Sequence, residues 1–96
     1  AAVLSASPRT AGLRELFLAN ADVGDIGAAD LARSAFVGRL TRIDLSHNRI
    51  GNDGAMRLAA ALSADALHVL DLTGNPILPQ YRRRLAAAFG DRVRFG

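Results

Sequence analysis

Ninety-six residues suit one small domain near the size at which a single core is only modestly stabilising; half are apolar, but only 5% are aromatic. The absence of cysteine excludes disulfides and thiolate metal sites and favours a reducing, cytoplasmic setting. All 12 basic residues are arginine, a usage of the bacterial GC-rich kind, and the net +3 gathers at one end, where residues 80–96 hold five arginines against Asp91.

The first stretch, Ala1-Ala2-Val3-Leu4-Ser5-Ala6, has no basic segment followed by a sustained apolar run, so it is neither a signal peptide nor a membrane span. It is similar to Leu58-Ala59-Ala60-Ala61-Leu62-Ser63, which further along reads as the second half of a helix. Residues 1–12 are therefore expected to be the end of a truncated helix, and the chain the C-terminal fragment of a longer array.

Next comes a pattern that recurs. Leu13-Arg14-Glu15-Leu16-Phe17-Leu18 reappears as Leu40-Thr41-Arg42-Ile43-Asp44-Leu45 and as Leu67-His68-Val69-Leu70-Asp71-Leu72, always 27 residues on. Within each copy the apolar positions alternate, as in a strand with one buried face. Val23-Gly24-Asp25-Ile26-Gly27-Ala28 matches Ile50-Gly51-Asn52-Asp53-Gly54-Ala55 at the same offset. Helical spacing follows: Leu31, Ala32, Ala35 and Phe36 in one unit, Leu58, Ala59 and Leu62 in the next. Asp25 and Asn52, standing just before these runs, are expected to cap their own helices. The units are 13–39, 40–66 and 67–96. One short strand and one helix cannot bury both apolar faces alone, but stacked parallel copies can.

The last unit changes character. Pro76 and Pro79 bracket a turn, and Gln80 to Phe89 reads as a helix with Leu85, Ala86 and Phe89 on one side. Gly90-Asp91 reads as its stop, and Val93 and Phe95 alternate with Arg92 and Arg94 as a short terminal strand. Residues 76–96 are expected to form a C-terminal cap that closes the stack.

Leu40/Ile43/Leu45/Asn48/Ile50 and Leu67/Leu70/Leu72/Asn75/Ile77 follow Leu-x-x-Leu-x-Leu-x-x-Asn-x-Leu. That spacing resembles the leucine-rich-repeat signature, and the 27-residue length with a full helix is similar to the bacterial-type, ribonuclease-inhibitor-like subclass. The resemblance implies an α/β solenoid, a right-handed β-α superhelix with parallel strands on the concave face and helices on the convex face. It also implies a structural ladder at Asn48 and Asn75, whose side chains bond neighbouring turns. The first unit departs, with Ala21 at the Asn position and Asn20 one residue early, so its turn is expected to be differently bonded. The usual role of such arrays is protein–protein recognition.

In that arrangement the strand residues form columns about 4.8 Å apart. One column is Glu15, Arg42, Val69 and Arg92; the next is Phe17, Asp44, Asp71 and Arg94. Ala19, Ser46 and Thr73 form a third, and Asn20, His47 and Gly74 a fourth. From these columns Glu15, Phe17, Arg42, Asp44, Ser46 and His47, with Val69, Asp71, Thr73 and Arg94, are the candidate partner-binding residues. Phe17 stands out as an aromatic ring at an outward strand position, suited to anchor an interface. The plainer reading makes Glu15–Arg42 and Asp71–Arg94 solvated ion pairs, with Arg42 and Arg94 offsetting the adjacent Asp44 and Asp71.

Catalysis is disfavoured. Ser46 and His47 point apart on a strand, and His47 and His68 lie at opposite ends of neighbouring strands, so neither a nucleophile–base pair nor a zinc site converges. No cofactor is implied, since Gly51 and Gly54 recur as turn residues rather than as a phosphate loop. Nucleic-acid binding through Arg82, Arg83 and Arg84 is also disfavoured, because consecutive helical residues fan out and no aromatic platform interleaves with them. The expected function is a non-catalytic protein-interaction module; the alternative is a purely structural cap for a longer array. The Leu13–Leu18 strand, at the outer edge of the sheet, predicts N-terminal self-association.

Overall fold

The computed structural model describes residues 14–34 and 37–95. In chain order these form β1 (Glu15–Phe17), α1 (Gly24–Ala32), a 3-10 turn (Val37–Arg39), β2 (Arg42–Asp44), α2 (Asn52–Ala61), β3 (Val69–Asp71), α3 (Pro79–Phe89), a second 3-10 turn (Gly90–Arg92) and β4 (Val93–Arg94). The truncated helix expected over residues 1–12, and Ala35 and Phe36, lie outside the described residues.

The four strands make one parallel sheet in the order β1-β2-β3-β4. Leu16 pairs with Ile43, Ile43 with Leu70, and Leu70 with Val93, so the 27-residue offset is the sheet register itself until the shorter last unit. These central residues are the buried ones, and their neighbours on each strand are exposed or half-buried. The alternation follows from the two-residue period of a strand with one covered face. Helices cover that face: α1 lies against α2, and α2 against α3. Leu40, Leu45, Ile50, Leu58, Leu72 and Leu85 are fully buried between the layers.

Among the described residues Ser34, Asn48 and Asn75 are the buried polar ones. Asn48 and Asn75 are buried, yet every hydrogen-bonding group of their amides is used. The Asn48 carbonyl accepts the N–H groups of Ala21 and Val23 at 2.8 and 3.2 Å, and its amide donates to the Leu18 and Ser46 carbonyls. Asn75 repeats this one unit later, accepting from Asn48 and Ile50 and donating to Leu45 and Leu72. Each asparagine therefore holds the turn of the unit before it. The turn at Ala21 is secured from the next unit by Asn48, but alanine there has no amide for the within-turn bond that Asn48 makes to the Ser46 carbonyl, so this turn is differently bonded, as expected.

The turns after the strands also share a backbone conformation. Asn20, His47 and Gly74 occupy equivalent positions and all have φ between 55° and 75°. Asp22 and Arg49, two residues on, have positive φ as well. In the third unit that place belongs to Pro76, whose ring fixes φ near −65°. The turn must differ there, and Ile77 N–H bonds back to the Asn75 carbonyl instead.

The helix starts correct one expectation. Neither Asp25 nor Asn52 caps its own helix: α1 and α2 have no side-chain cap of that kind. Asp25 Oδ1 instead accepts the N–H groups of Gly51 and Gly54, the cap and third residues of α2. Asn52 Oδ1 likewise accepts the N–H of Leu78, the cap residue of α3. Parallel stacking brings one unit's first helical turn beside the next unit's unpaired donors, so capping runs between units. Pro79, which follows in this column, has no side-chain acceptor.

In the last unit α3 buries Leu85 and Phe89, but Ala86 is exposed and Tyr81 packs against the core in its place. Tyr81, Leu85 and Phe89 are four residues apart and share one face, whereas Ala86 falls about 100° from Leu85. Gly90 ends the helix at φ 61°. Arg92 is not a strand residue; it sits in the 3-10 turn and its guanidinium donates to the Ala64 carbonyl. Arg82 donates to the Ile77 carbonyl and lies over the Phe95 ring at 5.6 Å.

Candidate interaction face

The strand residues that do not enter the core lie together on the open face of the sheet. Register sets Glu15, Arg42 and Val69 in one row, and Phe17, Asp44, Asp71 and Arg94 in the next. Between these rows is a depression of about 280 Å³ lined by Phe17, Arg42, Asp44, Val69, Asp71 and Arg94, with Ile43 at its floor. Phe17 is 65% exposed, an aromatic residue left uncovered on this face.

Each charged group has a definite environment. Arg42 pairs with Glu15 across the strands at 3.7 Å. Asp71 and Arg94 are register partners, but among the described residues no ion pair joins them within 4 Å. The acidic neighbours are held by their own turns instead. Asp44 Oδ1 accepts the Ser46 N–H at 3.0 Å and its hydroxyl at 2.7 Å, and Asp71 Oδ1 accepts the Thr73 N–H at 3.0 Å. Among the described residues neither Arg42 nor Arg94 forms an ion pair within 4 Å with either carboxylate. The Ser46 N–H, then its hydroxyl, hold Asp44 below the ordinary carboxylate range, with a smaller push from His47 and partial burial opposing them.

The remaining candidates sit at the strand ends. Ser46 and Thr73 occupy the turn behind Asp44 and Asp71, and the Ser46 hydroxyl proton points at Asp44 rather than at a histidine. His47 is exposed in a left-handed turn with its ring laid over Gly74, where an added Cβ would come within 2.1 Å of Nδ1. His68 lies exposed before β3. The structure thus gathers Phe17, Arg42, Asp44, Val69, Asp71 and Arg94 into one depression, and leaves Glu15, Ser46, His47 and Thr73 outside its lining. Among the described residues no three His, Cys, Asp or Glu side chains could together hold a metal ion, and no helix is long and apolar enough to cross a membrane.

Sequence reasoning missed a second depression, on the helix side. Asp25, Ile26, Ala29, Arg33, Asp53 and Arg57 line about 270 Å³ there, and Ile26 is 81% exposed. The signal was present: Ile26 aligns with Asp53 of the next unit, an apolar residue in a polar column. Asp53–Arg57 at 3.0 Å and the adjacent Asp30–Arg33 pair fence it with charge.

Among known proteins, residues 40–59 match the family model described as Leucine Rich repeat. No curated protein and no solved structure matches the chain. The matched stretch holds β2, its asparagine turn and most of α2, the unit whose neighbours repeat it at a fixed offset. It supports a leucine-rich-repeat protein, a class whose domains generally serve as protein-interaction modules.

Proposed function

We propose that this leucine-rich-repeat sheet is a non-catalytic protein-interaction module whose open strand face receives a protein partner. The observation that carries the reading is the exposed Phe17 ring, in register with Asp44 and beside a depression that mixes apolar and charged walls. Aromatic residues are enriched at the cores of interfaces, and extended concave faces are what stacked repeats use for binding. The chemistry around Ser46 and His47 argues against an enzyme, since the hydroxyl is committed to Asp44 and the imidazole lies against Gly74.

The test is a photo-crosslinking amino acid placed in the full-length protein at position 17 or, as a control, at the exposed Ala87 on α3. The expected result is a protein adduct from position 17 alone, lost when Asp44→Arg is added. Equal capture from both positions, or capture indifferent to Asp44→Arg, overturns the reading.

A second reading has its own support: the unit closes the stack. Pro79 offers no acceptor to a following helix, and Arg82 covers Phe95 beside the last strand. A purely structural cap predicts that the full-length protein binds its partner unchanged after Phe17→Ala and Asp44→Arg.

A further inference from the structure

We infer that the depression on the open strand face seats an arginine side chain of the protein partner, its guanidinium between the Phe17 ring and the Asp44–Asp71 carboxylates. This rests on the reading of that face as the docking surface and adds the chemistry of what docks there.

Register supplies the geometry. Phe17, Asp44 and Asp71 follow one another across β1, β2 and β3, about 4.8 Å apart. A ring beside a carboxylate at that spacing suits a guanidinium, which is planar, stacks on aromatic faces and donates through a rigid fork to carboxylate oxygens. An ammonium offers neither the flat face nor the fork. The depression, about 280 Å³, has room for one long side chain.

Charge supplies the second argument. Like charges directly opposite on neighbouring strands repel, yet Asp44 and Asp71 stand so paired, and among the described residues neither has an ion pair within 4 Å. Arg42, the nearest cation on β2, is engaged with Glu15. Among the described residues only Oδ1 of each aspartate takes a hydrogen bond, from Ser46 and Thr73, which leaves each Oδ2 for an incoming donor. An apolar or anionic segment covering this face would desolvate two unpaired carboxylates, a costly arrangement. A guanidinium removes that cost and offsets the repulsion.

The row also has a direction. It runs from Phe17 through the two aspartates to Arg94. A cation is repelled at that end and drawn toward β1 and β2. An acidic or neutral residue of the partner is then expected over Arg94.

The experiment selects displayed random dodecapeptides on the intact chain and measures one enriched synthetic peptide by fluorescence anisotropy. Enriched peptides should share an arginine, and changing it to alanine should weaken binding about 10- to 100-fold, the range for hydrogen bonds to charged groups. Changing it to lysine should recover only part. Asp44→Asn should weaken the parent peptide similarly and the alanine peptide hardly at all, which marks the two as partners. Exposed Phe17→Ala, which removes no buried contact, gives the same readout without risk to folding. Peptides that lack a basic residue yet lose binding on Phe17→Ala overturn the guanidinium seat and leave the docking face standing. If no selected peptide responds to Phe17→Ala, Asp44→Asn or Asp71→Asn, the docking face fails and the seat with it.

Discussion

The Gly54 N–H donates to Asp25 Oδ1 at 3.0 Å, across the boundary between two successive units. The same oxygen takes the Gly51 N–H at 2.8 Å, so one carboxylate satisfies two of the donors left open at the start of α2. The closeness is possible only because position 54 has no side chain. A Cβ there would stand 2.5 Å from Asp25 Oδ1 and 3.1 Å from the Ala28 Cβ.

In an ordinary helix Gly→Ala stabilises by about 0.5–1 kcal/mol. At Gly54 the sign should reverse, because the carboxylate must give up its cap and the packing of Ala28 must shift, an overpacking cost of about 1–3 kcal/mol. Asp25→Ala alone should cost about 1 kcal/mol, as for other lost caps. Urea unfolding followed by circular dichroism gives the check through a double-variant cycle. Gly54→Ala should be clearly less damaging when Asp25→Ala is already present, and additive losses would count against the contact.

The buried asparagines should rank in a definite order. Removing either amide strands backbone groups, each at about 1–3 kcal/mol when buried. The donors held by Asn75, on Asn48 and Ile50, are both buried, whereas Asn48 serves the buried Val23 and the more open Ala21. Asn75→Ala should therefore destabilise more than Asn48→Ala, and each by more than about 2 kcal/mol. Asn→Asp should fail nearly as badly at both, since a carboxylate cannot donate to the Leu18, Ser46, Leu45 or Leu72 carbonyls. An equal and small loss in both alanine variants would sink this ranking.

What the sequence made legible was whatever the offset alone determines. Leu16, Ile43 and Leu70 share a register because each is 27 residues from the next, and that alone places Phe17 beside Asp44. Bonds that leave the unit were not legible. Asp25 looks like a local cap because its type and place fit one, but which helix it serves depends on how closely α1 and α2 stack. Ala86 fits an apolar face by composition, but the four-residue spacing of Tyr81, Leu85 and Phe89 already favoured Tyr81 as the contact. The charge balance at Asp44 differs for the opposite reason: the bonds from Ser46 that stabilise it are local, two residues along the same strand end.

Asp44 gives the pH dependence its direction. Its folded value is lowered, chiefly by the Ser46 N–H, so its contribution is fully present above the unfolded value of about 3.9. It is lost as pH falls through the lower folded value. Asp44→Asn keeps an acceptor for Ser46 but not the charge. The wild type should exceed this variant in stability at pH 7 and at pH 5, and the gap should close as the pH is taken below about 4. A gap that stays constant from pH 7 to pH 2.5 would mean that the carboxylate gains nothing from its turn.

Gly74 separates backbone strain from side-chain crowding. It sits at φ 75°, where a residue with a Cβ costs roughly 1–2 kcal/mol, and that Cβ would lie 2.1 Å from His47 Nδ1. The imidazole is exposed and can swing away cheaply, whereas the left-handed backbone is fixed by the His47 N–H to Thr73 carbonyl bond and its equivalents along the stack. Backbone strain should therefore dominate: Gly74→Ala should destabilise by about 1–2 kcal/mol, and adding His47→Ala should recover only a small part. The equivalent position in the first unit is Asn20, at φ 55°, and asparagine tolerates this region better than alanine. With His47→Ala in place, Gly74→Asn should then be less costly than Gly74→Ala in the same urea measurement. If instead His47→Ala restores full stability to Gly74→Ala, crowding by the imidazole, and not the turn, is what keeps position 74 bare.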